Sequence, residues 1–262
     1  MPLAPKLARV AFNRHPALYP ANAEMTLRVG TEAAGQRTGP GVPSENYWFR
    51  RHVAAYRFAR RLVRGTVVDA GSGEGYGGAL LSRSARVIGM DLDAEVVTHA
   101  ARTYRDISIM RADVCRLPLA EASVDGIVTL QVLEHLHCPE AFVESARRAL
   151  RGGGVLAVST PNSRTFPAGN PWHVHEYDAG ELGGLLASSF PAVRVRGIGH
   201  GPGLRALDWV LGHPVQHRLV GRPYEDQLAW LRAVLRTVTS RDFRLTDRTD
   251  ESLDLIAVAA IP

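Results

Sequence analysis

The feature that most restricts how this chain can fold is a glycine-rich turn set between a strand and a helix, Val67-Val-Asp69-Ala-Gly71-Ser-Gly73-Glu-Gly75-Tyr-Gly77. The β-branched run 66–69 reads as a short strand, and residues 76–84 have helical composition. Glycines let the turn tighten and let a ligand approach the backbone, while the helix that follows presents unpaired N–H groups. Asp69 stands two residues before the first glycine, where a dinucleotide-binding fingerprint normally has no acid. A carboxylate there repels a pyrophosphate. It suits a cationic ligand group, directly or through water, or else it bonds the loop itself.

Beyond the turn, strand and helix alternate five times with short connections. Strands are expected at 86–91, 107–111, 124–130 and 155–160, and helices at 94–104 and 139–150, the latter stopped by Arg151-Gly-Gly-Gly154. This pattern predicts right-handed βαβ units and an α/β fold with a doubly wound, Rossmann-like sheet covered on both faces. A helix over 45–64 precedes it, with Ser44 as N-cap and Glu45 in the first turn. A helix at 178–187, a strand at 192–198 and a final strand at 253–260 follow. The 262 residues, 45% hydrophobic, suffice for one domain. Its expected parts are an N-terminal arm or lid (1–43), a cofactor-binding core (44–198), a helical insertion or cap (199–240) and C-terminal strands (241–262).

The formal net charge of +5 is carried almost wholly by arginine, Lys6 being the only lysine. Arginines alternate with carboxylates over 102–113 and 241–254, and no basic run occurs, so nucleic acid is not an expected partner. Two cysteines, Cys115 and Cys138, exclude a disulfide framework, and a thiol-rich structural metal site is not expected. No apolar run approaches the ~20 residues that cross a bilayer, and the start lacks a signal-peptide core, which points to the cytoplasm.

Asp91 ends the second expected strand about 20 residues past the glycine turn, the place of a ribose-binding acid in such folds. Asp93 is placed to cap the next helix, and Asp113 to take an adenine amino group, with Val114 and Met90 as apolar ring contacts. Together with Val128-Thr-Leu-Gln-Val-Leu-Glu-His-Leu136 and Arg147-Arg-Ala-Leu-Arg-Gly-Gly-Gly154, these motifs resemble class I S-adenosylmethionine-dependent methyltransferases, the ubiquinone-pathway O-methyltransferases among them, from about residue 67 to 196. A closer resemblance runs through Glu45-Asn-Tyr-Trp-Phe-Arg-Arg-His52, Asn170-Pro-Trp-His173 and Ser252-Leu-Asp-Leu-Ile-Ala-Val-Ala259. These segments are similar to an actinobacterial group of methyltransferases associated with methylated glucose lipopolysaccharide synthesis. The chain departs from that group's entry motif at Gly35-Gln-Arg-Thr38.

The resemblance implies a mostly parallel sheet with an antiparallel last strand, and S-adenosylmethionine held by Asp69, Gly71, Ser72, Gly73, Gly75, Asp91, Leu92, Asp113, Val114 and Gln131. It also implies methylation of a hydroxyl on a sugar, glycan or glycosylated metabolite. The alternatives are N- or C-methylation of another small metabolite and a non-catalytic cofactor-binding partner subunit; a homodimer is left open. An alkyl hydroxyl needs a base, and histidine is the natural one near neutral pH. His173 and His135 are the catalytic candidates, with Tyr47, Trp48, Arg51, Glu134 and His175 as acceptor contacts. No metal is called for, since the spacing of His173, His175 and Glu176 fits no familiar zinc motif.

Overall fold

A computed structural model describes residues 38–41, 43–166, 170, 172–219 and 226–262. The arm or lid expected over 1–43 therefore lies almost entirely outside the described residues. The architecture is the expected α/β one, an eight-stranded sheet in the order β3-β2-β1-β4-β5-β8-β6-β7. Its strands are β1 (Thr66–Ala70), β2 (Arg86–Asp91), β3 (Ser108–Arg111), β4 (Val124–Leu130), β5 (Leu150–Pro161), β6 (Ala192–His200), β7 (Phe243–Thr246) and β8 (Asp254–Ala260). The pairs from β3 through to β5 are parallel. β8 runs antiparallel between β5 and β6, and β7 adds an antiparallel edge beyond β6.

Helices α1 (Asn46–Ala59), α2 (Tyr76–Leu81), α3 (Ala94–Thr103), α4 (Pro139–Ala149) and α5 (Ala179–Ala187) cover the sheet. The central strands are apolar on both sides because both sides are packed. Val67, Val128 and Ala157 point into the layer shared with α1 and α2, while Val68, Ile127 and Leu156 point into the layer of α4 and α5. The insertion carries α6 (Pro202–Leu211), α7 (Gln216–Leu219) and α8 (Ala229–Thr237), as its helical composition implied.

Several local details differ from the expectation. Helix α1 ends at Ala59 rather than 64: past it the Arg61 and Leu62 N–H groups bond the Phe58 and Ala59 carbonyls three residues back, and Gly65, at φ +68°, then turns the chain into β1. Ser44 is not its N-cap: a 3-10 turn, Pro43–Glu45, leads in, and Glu45 holds the cap position while its carboxylate accepts the Gly39 N–H at 3.3 Å. The glycines at 152–154 do not simply stop α4, since they lie within β5 at a register irregularity opposite β4. Asp93 caps α3 as expected, accepting from the N–H groups of Glu95 and Val96. The two cysteines, too few for a framework, nevertheless meet: Cys115 and the α4 N-cap residue Cys138 form a disulfide with Cα atoms 5.9 Å apart.

Candidate functional site

Strand order reverses between β1 and β4, so the crevice beyond their carboxyl ends is where a doubly wound sheet binds its ligand. The turn after β1 meets that of β4 closely, for a Cβ on Gly71 would lie 2.4 Å from Val132. Gly71, Gly73 and Gly75 all have positive φ, which explains why this turn is spelled in glycine. At Gly73 a Cβ would meet nothing within 4 Å, leaving an open cradle over the backbone. Ser72 Oγ beside it is buried with no hydrogen-bond partner among the described residues. Asp91, half-buried at the end of β2, accepts the Gly73 N–H at 2.8 Å and the Asp93 N–H at 3.1 Å, tying the acid to the turn.

Asp69 occupies a different position from its neighbours in the motif. It is fully buried beneath the turn, where the Tyr56 hydroxyl donates to its carboxylate at 3.1 Å and the Gly78 N–H bonds it as well. Gly77 makes this possible, since a Cβ there would lie 1.9 Å from the Tyr56 ring. Burial pushes the Asp69 carboxyl up to about 7. Leu92 is largely exposed at the rim, Asp113 is exposed and caps the 3-10 turn Val114–Arg116, and Val114 is buried behind it. Met90 lies wholly in the core, so it does not face a ring in the crevice. Gln131 follows β4 directly with φ +59°, an uncommon geometry for a non-glycine residue. It is held by its N–H on the Ser159 carbonyl and its amide on Ser159 Oγ.

A second group forms at the far side of the β4 end. The 3-10 turn Leu133–His135 presents Glu134 and His135, and the segment carrying His173 folds over it. The Glu134 carbonyl accepts the Val174 and His175 N–H groups, and the Trp172 carbonyl lies 2.8 Å from His135 Nδ1. The imidazoles of His135 and His173 thereby come edge to face, centroids 5.1 Å apart. His173 is itself oriented from both sides: Nδ1 is 2.9 Å from Glu176 Oε1, and Nε2 is 2.8 Å from the Asn170 amide. Glu134 is buried, its carboxylate accepting from the Thr160 hydroxyl, and burial pushes it up to about 8. Ligating atoms of Glu134, His135 and His173 lie within 4.8 Å of one another, a set of donors that a divalent ion could use.

A family model described as a methyltransferase domain matches residues 68–158. A Mycobacterium tuberculosis protein named a probable S-adenosylmethionine-dependent methyltransferase is 42% identical over 246 residues, spanning 87% of this chain and 89% of its own. A Mycolicibacterium smegmatis protein of the same name is 42% identical over 245 residues, 87% of this chain and 94% of its own. This chain belongs to the S-adenosylmethionine-dependent methyltransferases. The methyltransferase also shares its fold with solved S-adenosylmethionine-dependent methyltransferases from Thermotoga maritima and Archaeoglobus fulgidus. The first has TM-score 0.59 at 15% identity, with 83% of this chain and 92% of that one covered; the second has 0.57 at 15%, with 83% and 97%. No helix among its described residues is long and apolar enough to cross a membrane.

Three expected acceptor contacts of this methyltransferase do not face the crevice. Arg51 is 1% exposed and pairs with Asp254, while also donating to Gln216 Oε1 and the Leu253 carbonyl. Its charge is spent inside the protein, knitting α1 to β8 and α7. Tyr47 is likewise buried, its hydroxyl 2.7 Å from His200 Nε2, and His200 in turn bonds Asp208 on α6. His175 turns outward toward Glu181 with its ring against Tyr177, away from His173, so the His173, His175 and Glu176 grouping is not assembled as a ligand set. Trp48 is half-buried over the Arg51 guanidinium. Thr160, Asn170 and Tyr56 were missed as partners, because only the folded chain brings them within bonding distance of Glu134, His173 and Asp69.

Proposed function

We propose that this methyltransferase transfers the methyl group of S-adenosylmethionine to a hydroxyl of a sugar, glycan or glycosylated metabolite. The observation that carries the reading is the oriented imidazole of His173, backed by Glu176 and set against His135 and Glu134 at the end of β4. The chain's resemblance to methyltransferases of methylglucose lipopolysaccharide synthesis supports a sugar acceptor. So does the exposed indole of Trp172, an apolar platform on the same segment against which a sugar's C–H face packs.

On this reading the Gly71–Gly75 turn cradles the methionine end, with Ser72 Oγ as a polar contact. Asp91 takes the ribose hydroxyls, and Asp113, Val114 and Leu92 bound the adenine. Asp69 acts from below, holding the turn through Tyr56 and Gly78, and Gln131 shapes the floor. The bound cofactor supplies an electrophilic methyl on a sulfonium. His173 accepts the proton of the acceptor hydroxyl at Nε2, which Asn170 now covers, as the oxygen–carbon bond forms and the carbon–sulfur bond breaks. Glu176 at Nδ1 stabilises the resulting imidazolium.

The test is methyl transfer from labelled S-adenosylmethionine to glucan and mannan oligosaccharides by the wild type and His173→Ala. Turnover is expected to fall about 100-fold or more in the variant, the usual worth of a positioned base, with cofactor affinity unchanged. Methylation of amines but of no hydroxyl acceptor would overturn the reading.

A further inference from the structure

A second concave feature lies on the α1 side of the sheet, between the last two turns of α1 and the β6–β7 edge. It is a cleft of about 220 Å³. Four arginines line it: Arg57 from α1, Arg61 from the turn after that helix, Arg241 from the 3-10 turn before β7, and Arg244 from β7 itself. Its floor is apolar, built from Phe58, Ile198 and Phe243. None of these residues belongs to the cofactor turn or to the group around His173.

The arginines of this cleft are unusual in what they lack. Farther along the same edge, Arg194 and Arg196 converge on Asp247. Arg57, Arg61, Arg241 and Arg244 have no carboxylate partner among the described residues. The nearest candidate in sequence, Asp242, is committed elsewhere, accepting the N–H and hydroxyl of Thr239. The Arg57 guanidinium donates to the Ser240 hydroxyl at 3.2 Å. Its pKa is held below the usual arginine value, by partial burial first and then by repulsion from Arg241, Arg61 and Arg60. Like charges gathered round one cavity without a counter-charge make an anion site, because a bound anion relieves the repulsion and each guanidinium offers a fork of donors.

We propose that this cleft is a second binding site, for the phosphate group of a small organic phosphate. The apolar floor takes the organic part, the four guanidiniums take the phosphate oxygens, and the Ser240 hydroxyl turns to donate alongside them. The volume suits a small metabolite, being below the ~300–1,000 Å³ of drug-sized pockets. The methyl donor, which carries a sulfonium and no phosphate, is repelled from it.

The experiment is calorimetric titration of the full chain at low ionic strength with inorganic phosphate and with glycerol 3-phosphate, beside an Arg241→Glu/Arg244→Glu double variant. Both positions are exposed, and S-adenosylmethionine affinity serves as the control for folding. Saturable binding that weakens at least about tenfold in the variant, the scale of one lost charge-assisted hydrogen bond, supports the site. Arg57→Gln is expected to weaken it similarly. Absence of binding by the wild type, or binding that the double variant retains in full, overturns the site and leaves the methyl-transfer reading untouched.

Discussion

The turn after β1 and the group around His173 are built in opposite ways. The turn is made by consecutive residues whose conformations are written into their own chemistry, three glycines at positive φ closing onto Asp91 one strand away. The histidine group joins the end of β4 to a segment nearly forty residues later, through carbonyls of Glu134 and Trp172 that any residue could supply. A cofactor site common to a large family can be specified locally and reused. On the proposed reading the histidine group is the acceptor site, and because backbone contacts join its two segments its side chains can change without disturbing the turn.

If the two regions are separable, substitutions in the turn change cofactor affinity and those in the second group do not. The largest effect is expected from Gly73→Val, which places a β-branched side chain at φ +48° and fills the open cradle. Calorimetry should find S-adenosylmethionine binding weakened by about 100-fold or more, since both strain and obstruction oppose it. Asp91→Ala should weaken it about 10-fold to 100-fold, the range for a hydrogen-bonding charged group, with no change in acceptor KM at saturating cofactor. An equal effect of Asp91→Ala on acceptor KM would break the separation.

Smaller effects sharpen the other side. Burial raises the Glu134 carboxyl from 4.5 to about 8, so between these values the folded chain keeps a proton that the unfolded chain releases, and stability falls as pH rises through that window. Glu134→Gln keeps the neutral shape and the acceptor for Thr160. Scanning calorimetry should find its Tm equal to that of the wild type below about pH 4.5 and higher above about pH 8. The smallest effect is expected from His175→Ala, whose side chain is half-exposed and points at Glu181. Steady-state turnover should stay within about twofold of the wild type, as for a surface substitution.

The strands and the glycine turn were legible because their signals are short-range: runs such as Val67-Val68 and Val155–Thr160 have the composition of buried parallel strands. The antiparallel β8 was legible through family resemblance. Tyr47 and Arg51 were misread because an aromatic and a cation on a helix look alike whether they face a ligand or the interior. Only Asp254 and His200, some 150 to 200 residues away, reveal that both are partners inside the fold. Cys115 and Cys138 carried no pairing signal, since their separation of 23 residues says nothing until the segment after β3 packs against the start of α4.

By itself, the sequence determined the doubly wound sheet, the family and the glycine turn after the first strand, because hydrophobic period, glycine placement and strand-ending acids act over a few residues. The tertiary structure alone decided which charges are spent internally and which remain outward. Arg51 is neutralised in the core, Asp69 is buried under its own turn, and four arginines are left facing one another across a cleft. Those outcomes depend on distances between segments far apart in the chain, and Coulomb and desolvation energies follow distance and burial, not order along the sequence.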